Sequence, residues 1–183
     1  MRISRMAMAV GLIAVPAWSA TSGVVDAHSA QDPARSVTIT DIDSCPVLGE
    51  KDFIDSWGDP RSSGRRHEGV DMVAERGTPV VAATDGDAEF KRSNLGGNAI
   101  WLTSDRGARF YYAHLDAWAG DSRRVRAGEI IGYVGQTGNA RGDHLHFESR
   151  AGDAAVNPYP LVAPVCLPTA TPTGPGTLRS LLR

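Results

Sequence analysis

Apolar and polar residues alternate in short runs over much of residues 78–148, and glycine, proline and aspartate separate the runs. Alternation with period two predicts strands, and turn signals recurring about every 8–12 residues are typical of antiparallel sandwiches and barrels. We therefore predict an all-β fold, an antiparallel β-sandwich or barrel-like sheet with few or no helices after residue 27. The predicted strands are 78–83, 87–92, 98–103, 108–114, 129–134 and one that starts at His144.

A histidine and an aspartate stand four residues apart in the segment before the first of these strands, at His67 and Asp71. In a strand their side chains share one face, because side chains alternate with period two. A helix would also bring positions i and i+4 together. Gly69 and the β-branched Val70 lower helix propensity, so we interpret the segment as a strand.

A second segment, His144–Glu148, places two histidines at even spacing with apolar residues between them. In a strand, His144 and His146 share one face while the apolar residues point into a core. If this strand lies beside the first segment, His67, Asp71 and one histidine of the pair converge. Such a set suits zinc, which in catalytic sites takes three protein ligands and a water molecule. We predict one Zn²⁺ per chain.

Composition and the N-terminus limit the possible classes of protein. The 183 residues suit one domain with appendages. The net charge of -2 comes without a basic stripe, so nucleic acid is not an expected partner. Residues 1–27 carry Arg2 and Arg5, an apolar run and then small residues, as in a secretory signal peptide. The alternative is a membrane anchor, but the run is shorter than the roughly 20 residues that a span needs. We expect a secreted or extracytoplasmic protein, in the cell wall or periplasm.

The remaining chain divides into three predicted regions. Residues 28–44 are polar and form a leader or propeptide, residues 45–166 form the globular domain, and the tail 167–183 is rich in proline, threonine and glycine and predicted to be disordered. Cys45 and Cys166 bracket the globular domain. In an exported chain an even cysteine count favours a disulfide; the alternative is two buried free thiols.

Residues 57–148 resemble the lysostaphin-type, or LytM-type, zinc metallopeptidases, which cut peptidoglycan peptides. The matching stretches are His67–Asp71, Gly77–Gly86, Gly97-Asn98, Tyr112–Leu115, Ile131–Gly138 and His144–Glu148. The resemblance covers about half of the chain and departs from the family pattern at Asp143, where proline is common. It implies the lysostaphin-like fold, of duplicated hybrid motif type, zinc dependence and activity on the bacterial cell wall.

The resemblance also implies roles for individual residues. His67, Asp71 and His146 would bind zinc, and His144 and His114 would flank the ion without binding it. We choose His144 as general base, because it lies two residues from a ligand on the same face. His114 would then stabilise the transition state. These two roles could be exchanged.

Further residues are expected to line a substrate groove. Tyr112, on an aromatic strand and on the same predicted face as His114, would help to stabilise the oxyanion, and Asn98 would contact substrate or transition state. The glycine-rich loops 94–97 and 135–142 would let an extended peptide approach closely, or they would simply form turns.

Three functions compete at this stage. The first is an exported, monomeric zinc metalloendopeptidase that hydrolyses stem or cross-bridge peptides of peptidoglycan through a zinc-activated water. The second is a catalytically silent module that binds the wall and activates another hydrolase. The third is a structural zinc domain, which would use four protein ligands. The intact set of ligands together with His114 and His144 favours the first.

Overall fold

The computed structural model describes residues 42–167. The predicted signal peptide, most of the predicted leader and nearly all of the predicted tail therefore lie outside the described residues. Among the helices of the described range, none has the length and apolar character that a membrane span requires.

Strands dominate the described range, so the predicted all-β class is confirmed. A short 3-10 turn precedes the strands at Ser62–Gly64, and one helix, α1, follows them at Tyr159–Cys166. The strands are β1 (Val70–Val73), β2 (Pro79–Val81), β3 (Gly86–Ser93), β4 (Gly97–Ser104), β5 (Arg109–Leu115), β6 (Ala117–Trp118), β7 (Arg123–Val125), β8 (Ile130–Tyr133), β9 (His144–Ala151) and β10 (Ala154–Val156).

Two antiparallel sheets share these strands. The larger has the order β1-β9-β5-β4-β3-β7, with β10 also pairing with β9, and the smaller has the order β2-β8-β6. The pairing of β1 with β9 sets Asp71 directly opposite His146. The predicted juxtaposition of these two segments is thus confirmed, although they lie 75 residues apart in sequence.

The core lies against one face of the larger sheet. Leu145 and Phe147 of β9 are fully buried, as are Phe110 and Tyr112 of β5, and residues of the smaller sheet such as Val80 pack in the same cluster. The rings of Phe110 and Phe147 stack with centroids 5.7 Å apart. Burying each such side chain contributes about 1.5–3 kcal/mol. The opposite face of β9 is therefore free to carry polar groups.

A disulfide joins the two ends of this domain. Cys45 and Cys166 are bonded, with Cα atoms 5.0 Å apart, as the even cysteine count favours. Closing a segment of 121 residues restricts the unfolded chain by about 5 kcal/mol in the loop-entropy model. Packing begins before Cys45, since the side chain of Ile42 is buried and the N–H of Asp43 donates to Ala83 O at 2.7 Å.

The interpretation of His67–Asp71 as one strand is wrong at its start. β1 begins at Val70, and His67 instead closes an irregular segment. The reason is Gly69, where a Cβ atom would stand 2.6 Å from Phe147 O and 2.7 Å from Cε1 of His146. Only glycine allows the chain to pass so near β9, and it bends there before joining the sheet.

His114 also departs from its predicted place. Ile100 of β4 pairs with Tyr112, but Asn98 pairs with Leu115, so β5 holds one extra residue over this interval. His114 has φ 67°, in the left-handed region. This β-bulge turns the His114 side chain away from the buried face of Tyr112 and toward the face that carries His146. The prediction that His114 and Tyr112 share a face is wrong for this reason.

Candidate metal centre

Three side chains meet on the outer face of the larger sheet. There β1 and β9 adjoin the irregular residues 56–67, which we call the His67 segment. Nε2 of His67 lies 3.0 Å from Oδ1 of Asp71 and 3.0 Å from Nδ1 of His146, and the last two atoms are 2.9 Å apart. Adjacent ligands of a tetrahedral zinc ion lie about 3.3 Å apart. The structure thus brings together the three predicted ligands in a triangle of suitable size.

The other ring nitrogen of each histidine is committed elsewhere. Nδ1 of His67 lies 2.8 Å from the carbonyl of Ser56, and Nε2 of His146 lies 3.0 Å from Oε1 of Glu148. Since these oxygens accept, those nitrogens carry the hydrogens, and in the neutral rings the inward nitrogens carry lone pairs. Two lone pairs and a carboxylate at 3 Å have no donor among them, so the donor set fits a cation such as Zn²⁺.

The titration behaviour of the cluster points the same way. Burial alone would raise the pKa of Asp71. The contacts with His146 and His67 lower it by more than burial raises it, so the net pKa is far below its usual value. Burial lowers the pKa of His146, and the carboxylates of Asp71 and Glu148 outweigh burial and raise it. The cluster therefore favours an added positive charge, which a proton supplies at low pH and a metal ion supplies otherwise.

Glu148 and Arg150 support the centre, although the sequence analysis assigned them no role. Glu148 is buried; its Oε2 accepts from Nε of Arg150 at 2.8 Å, and Nη2 of Arg150 reaches Oε2 of Glu68 at 2.7 Å. Burial raises the pKa of Glu148, but His146 and Arg150 lower it more. The even spacing of His144, His146 and Glu148 was the signal available for Glu148. Arg150 continues the same even spacing, two residues further along β9.

Two further imidazoles flank the triangle. The ring of His114 lies 4.9 Å from that of His144 and 5.9 Å from that of His146, and Nε2 of His144 lies 3.7 Å from Oδ1 of Asp71. Nδ1 of His114 donates to Thr137 O and Nδ1 of His144 donates to Gly142 O, each at 2.8 Å. The remaining Nε2 of each ring is left for chemistry. Burial lowers the pKa of His114 to about 4, so this ring is neutral at pH 7.

Tyr112 and Asn98 are not brought to the centre. Tyr112 is fully buried on the core face, where its hydroxyl accepts the N–H of Ala83 at 2.8 Å. The amide of Asn98 donates to Leu115 O and Asp116 O at 3.2 and 3.0 Å. Tyr112 therefore packs in the core, and its predicted contact with substrate is corrected. Asn98 braces the end of β5, and its contact with substrate stays a prediction. Tyr111, on the outer face, lines the cleft instead.

The glycine-rich loops serve the protein's own packing at two positions. A Cβ on Gly97 would stand 2.4 Å from the backbone of Thr137, and one on Gly138 would stand 2.3 Å from the backbone N of Gly97. Both residues also have positive φ. The two loops therefore need glycine to approach each other, which places Thr137 O within reach of His114. At these positions the turn interpretation is the correct one.

An open cleft runs over the triangle. Its floor is the outer face of β9 and β5, and its walls come from the His67 segment on one side and from loops 93–96 and 139–142 on the other. Val73 and Leu95 expose 56% and 54% of their surface there. The arrangement combines a metal-type donor set, two free imidazole nitrogens and access for an extended polymer.

Comparison with known proteins agrees with this geometry. The model of Peptidase family M23 matches residues 65–158. The chain is 44% identical over 101 residues to a DD-carboxypeptidase/endopeptidase, Mpg, of Neisseria meningitidis, a match that covers 55% of this chain and 24% of the relative. It is 40% identical over 110 residues to the glycyl-glycine endopeptidase ALE-1 of Staphylococcus capitis, covering 55% and 30%. The chain thus spans about a quarter to a third of these curated relatives.

Solved structures give the same result. The catalytic domain of lysostaphin from Staphylococcus simulans matches with a TM-score of 0.56 and 34% identity, over 60% of this chain and 90% of that one. A zinc-containing peptidase from Vibrio cholerae matches with a TM-score of 0.57 and 25% identity, over 64% and 39%. The family match spans half of the chain and includes the triangle and both flanking histidines, so the chain belongs to peptidase family M23.

Proposed function

We propose that this protein is an exported zinc metalloendopeptidase that hydrolyses peptide bonds in bacterial peptidoglycan, in the stem or the cross-bridge. The observation that carries the proposal is the triangle of His67, Asp71 and His146 on the floor of an open cleft with two free imidazole nitrogens beside it. The names of the relatives, a DD-carboxypeptidase/endopeptidase and a glycyl-glycine endopeptidase, support the substrate class.

His67, Asp71 and His146 would hold one Zn²⁺. When bound, the ion supplies Lewis acidity toward a carbonyl and lowers the pKa of water. Three ligand atoms leave a position open, as catalytic zinc sites require. The buried Glu148 and the carbonyl of Ser56 hold the two ligand rings so that their lone pairs face inward.

His114 is the better general base of the two flanking residues, which exchanges the roles that the sequence analysis preferred. Its Nδ1 is committed to Thr137 O, and its lowered pKa keeps Nε2 unprotonated at neutral pH. Nε2 therefore accepts a proton from the attacking water. His144 takes the complementary role on the same face, where it stabilises the oxygen of the tetrahedral intermediate.

Mass spectrometry of muropeptides tests the proposal. Purified chain with stoichiometric zinc is incubated with isolated cell walls, with and without a chelator, beside the His146→Ala variant as control. New amino and carboxyl ends are expected only for the zinc-loaded native chain. If intact walls are untouched but lysis begins when a second hydrolase is added, the protein is the silent activating module instead.

Export, zinc stoichiometry and monomeric state belong to the same proposal. Expression of the full chain in a bacterial host is expected to yield extracytoplasmic protein that lacks residues 1–27, which N-terminal sequencing detects. Elemental analysis is expected to give one zinc per chain, and light scattering the mass of one chain. Zinc bound with four protein ligands, seen by absorption spectroscopy, would favour a structural domain.

A further inference from the structure

The two carboxylate oxygens of Asp71 have different partners. Oδ1 forms one corner of the triangle with the nitrogens of His67 and His146. Oδ2 faces the cleft wall and accepts a hydrogen bond from Nη2 of Arg61 at 2.5 Å. Among the described arginines, Arg61 is the one that forms a salt bridge with a member of the triangle.

Arg61 lies on a small hairpin that has its own backbone hydrogen bonds. Its backbone N–H donates to Arg65 O at 2.9 Å, and Pro60 and Arg66 form an antiparallel bridge, so residues 60–66 make a small hairpin around the 3-10 turn. The same segment continues directly into His67, the most buried ligand, at 3% exposure. The guanidinium and the first metal ligand therefore reach Asp71 on one short piece of chain.

The contact restricts how Asp71 can bind an ion. A carboxylate coordinates a metal through one oxygen or through both. With Oδ2 held by a charge-assisted hydrogen bond, Oδ1 is the oxygen left for the ion. A carboxylate free to bind through both oxygens would supply a fourth protein donor and occupy the position that water needs.

We propose that Arg61 is a positioning residue that keeps Asp71 a one-oxygen ligand and thereby keeps one coordination position open. The inference rests on the proposed zinc site. It goes beyond that proposal because a residue that does not bind the ion would determine whether one coordination position stays open. Partners of metal ligands typically change activity or metal affinity about 10–100-fold when removed.

Arg65 provides a matched control on the same hairpin. It also lines the cleft, but its Nη2 contacts Oγ of Ser62 at 3.3 Å, and within residues 42–167 it makes no salt bridge. Arg61→Met and Arg65→Met remove the same charge from the same wall. Arg61→Lys keeps a charged donor within reach of Oδ2.

The experiment uses the full chain loaded with zinc. Zinc content, the zinc-edge X-ray absorption spectrum, and kcat and KM for wall peptides are measured for Arg61→Met, Arg61→Lys and Arg65→Met. For Arg61→Met we expect one zinc per chain and a changed spectrum, in which Oδ2 of Asp71 replaces the water oxygen at an unchanged number of neighbours and the carboxylate carbon lies closer to the ion. We expect kcat to fall about 10–100-fold with little change in KM. Arg61→Lys is expected to restore the native spectrum and most of kcat, and Arg65→Met is expected to keep the native spectrum and one zinc per chain.

Two results would overturn the inference. An Arg61→Met spectrum identical to the native one shows that the arginine does not control Asp71, and loss of zinc from that variant shows that it acts on affinity rather than on the open position. Because the spectrum needs no turnover, this failure is separate from a failure of the proposed function, which would appear as a native chain that binds zinc but leaves walls intact. A native chain that binds no zinc overturns both.

Discussion

The two histidines of the triangle come from two regions of very different construction. β9 lies between β1 and β5 and is fixed by backbone ladders on both sides, with Leu145 and Phe147 buried beneath it. The His67 segment, residues 56–67, is irregular and exposed over most of its length, and a few backbone bonds hold it. Yet His67 is more buried than His146.

The difference shows that two kinds of rigidity meet at the centre. His146 is placed by the sheet, so its position follows from the register of β1 against β9. His67 is placed by burial of its own ring and by the hydrogen bond from Nδ1 to Ser56 O. An ion held by both regions would tie the irregular segment to the sheet, since metal binding and ordering are linked.

The largest expected effect comes from removing either ligand histidine. His67→Ala and His146→Ala should each lose zinc and all turnover, because two remaining donors do not hold the ion against a chelator. Elemental analysis after dialysis, with peptide release as activity readout, measures this. Val73→Ala, which trims an exposed side chain on the neighbouring strand, should keep one zinc.

Equal loss from both variants would mean that the two regions contribute equally once the ion is bound. Retention of stoichiometric zinc by His67→Ala would instead show that the sheet alone holds the ion. In that case the irregular segment would be a wall of the cleft rather than part of the metal centre.

A second pair of variants, His114→Ala and His144→Ala, separates chemistry from metal binding. Both should keep one zinc, since neither is part of the triangle. Turnover should fall about 10²–10⁴-fold in each, the usual contribution of general acid or base catalysis. Loss of zinc from the His144 variant would place it among the ligands and contradict its assignment.

The pH dependence sharpens the assignment of the base. Burial lowers the pKa of His114 to about 4, so its neutral, accepting form persists as pH falls from 7 toward 4. The acid limb of kcat/KM should therefore lie below about 6.5, the value for an unperturbed histidine. Zinc content is measured at each pH, because protonation of the ligands also releases the ion. An acid limb at 6.5 with constant zinc would contradict His114 as base.

The regular region could be predicted from sequence and the irregular one only in part. Period two fixed the shared face of His144 and His146, and it carried Glu148 to the same face. The bulge that turns His114 leaves no mark in the hydrophobic pattern. It adds one residue of β5 without a partner on β4, and no particular residue type is needed for that.

Long-range contacts explain the other gaps. Arg61 reaches Asp71 from the hairpin 60–66, so its pairing does not follow from strand spacing. The contact of Arg150 with Glu68 likewise joins residues 82 positions apart. The placement of Tyr112 in the core follows from its pairing with Ile100 and Phe147, which only the sheet order reveals. The convergence of the three triangle side chains was predictable because they lie at or beside the paired strands.

The fourth prediction uses the different supports of His67 and His146. His146 is oriented by the side chain of Glu148, whereas His67 is oriented by a backbone carbonyl. Glu148→Ala should weaken zinc affinity about 10–100-fold, and Glu148→Gln, which keeps an acceptor for His146, should weaken it less. Ser56→Ala leaves the carbonyl in place and should change nothing. Competition with a chromogenic chelator gives the three affinities, and an equal loss for Ser56→Ala would contradict the argument.

The smallest expected effect concerns the loop that leads into β9. Arg76 lies 2.9 Å from Oδ1 of Asp143 and 3.3 Å from Oε1 of Gln136, which ties residues 136–143 to the chain after β1. The pair is exposed, so its contribution is about 0.2–1 kcal/mol at most, and salt screens it. Arg76→Gln should lower kcat less than about five-fold at low salt and leave it unchanged at high salt.

Asp143→Pro is the informative partner of that variant. Proline fixes φ without a charge, so it should stiffen the loop before His144 and make turnover less dependent on salt and on Arg76, which keeps its contacts with Gln136 and Asp116. The measurement is kcat against ionic strength for the native chain, each single variant and the double variant. If Arg76→Gln lowered turnover equally at all salt concentrations, the arginine would act by packing. The loop that leads to His144 would then be held as firmly as β9 itself. In that case only the His67 segment would differ from the sheet in how it is held in place.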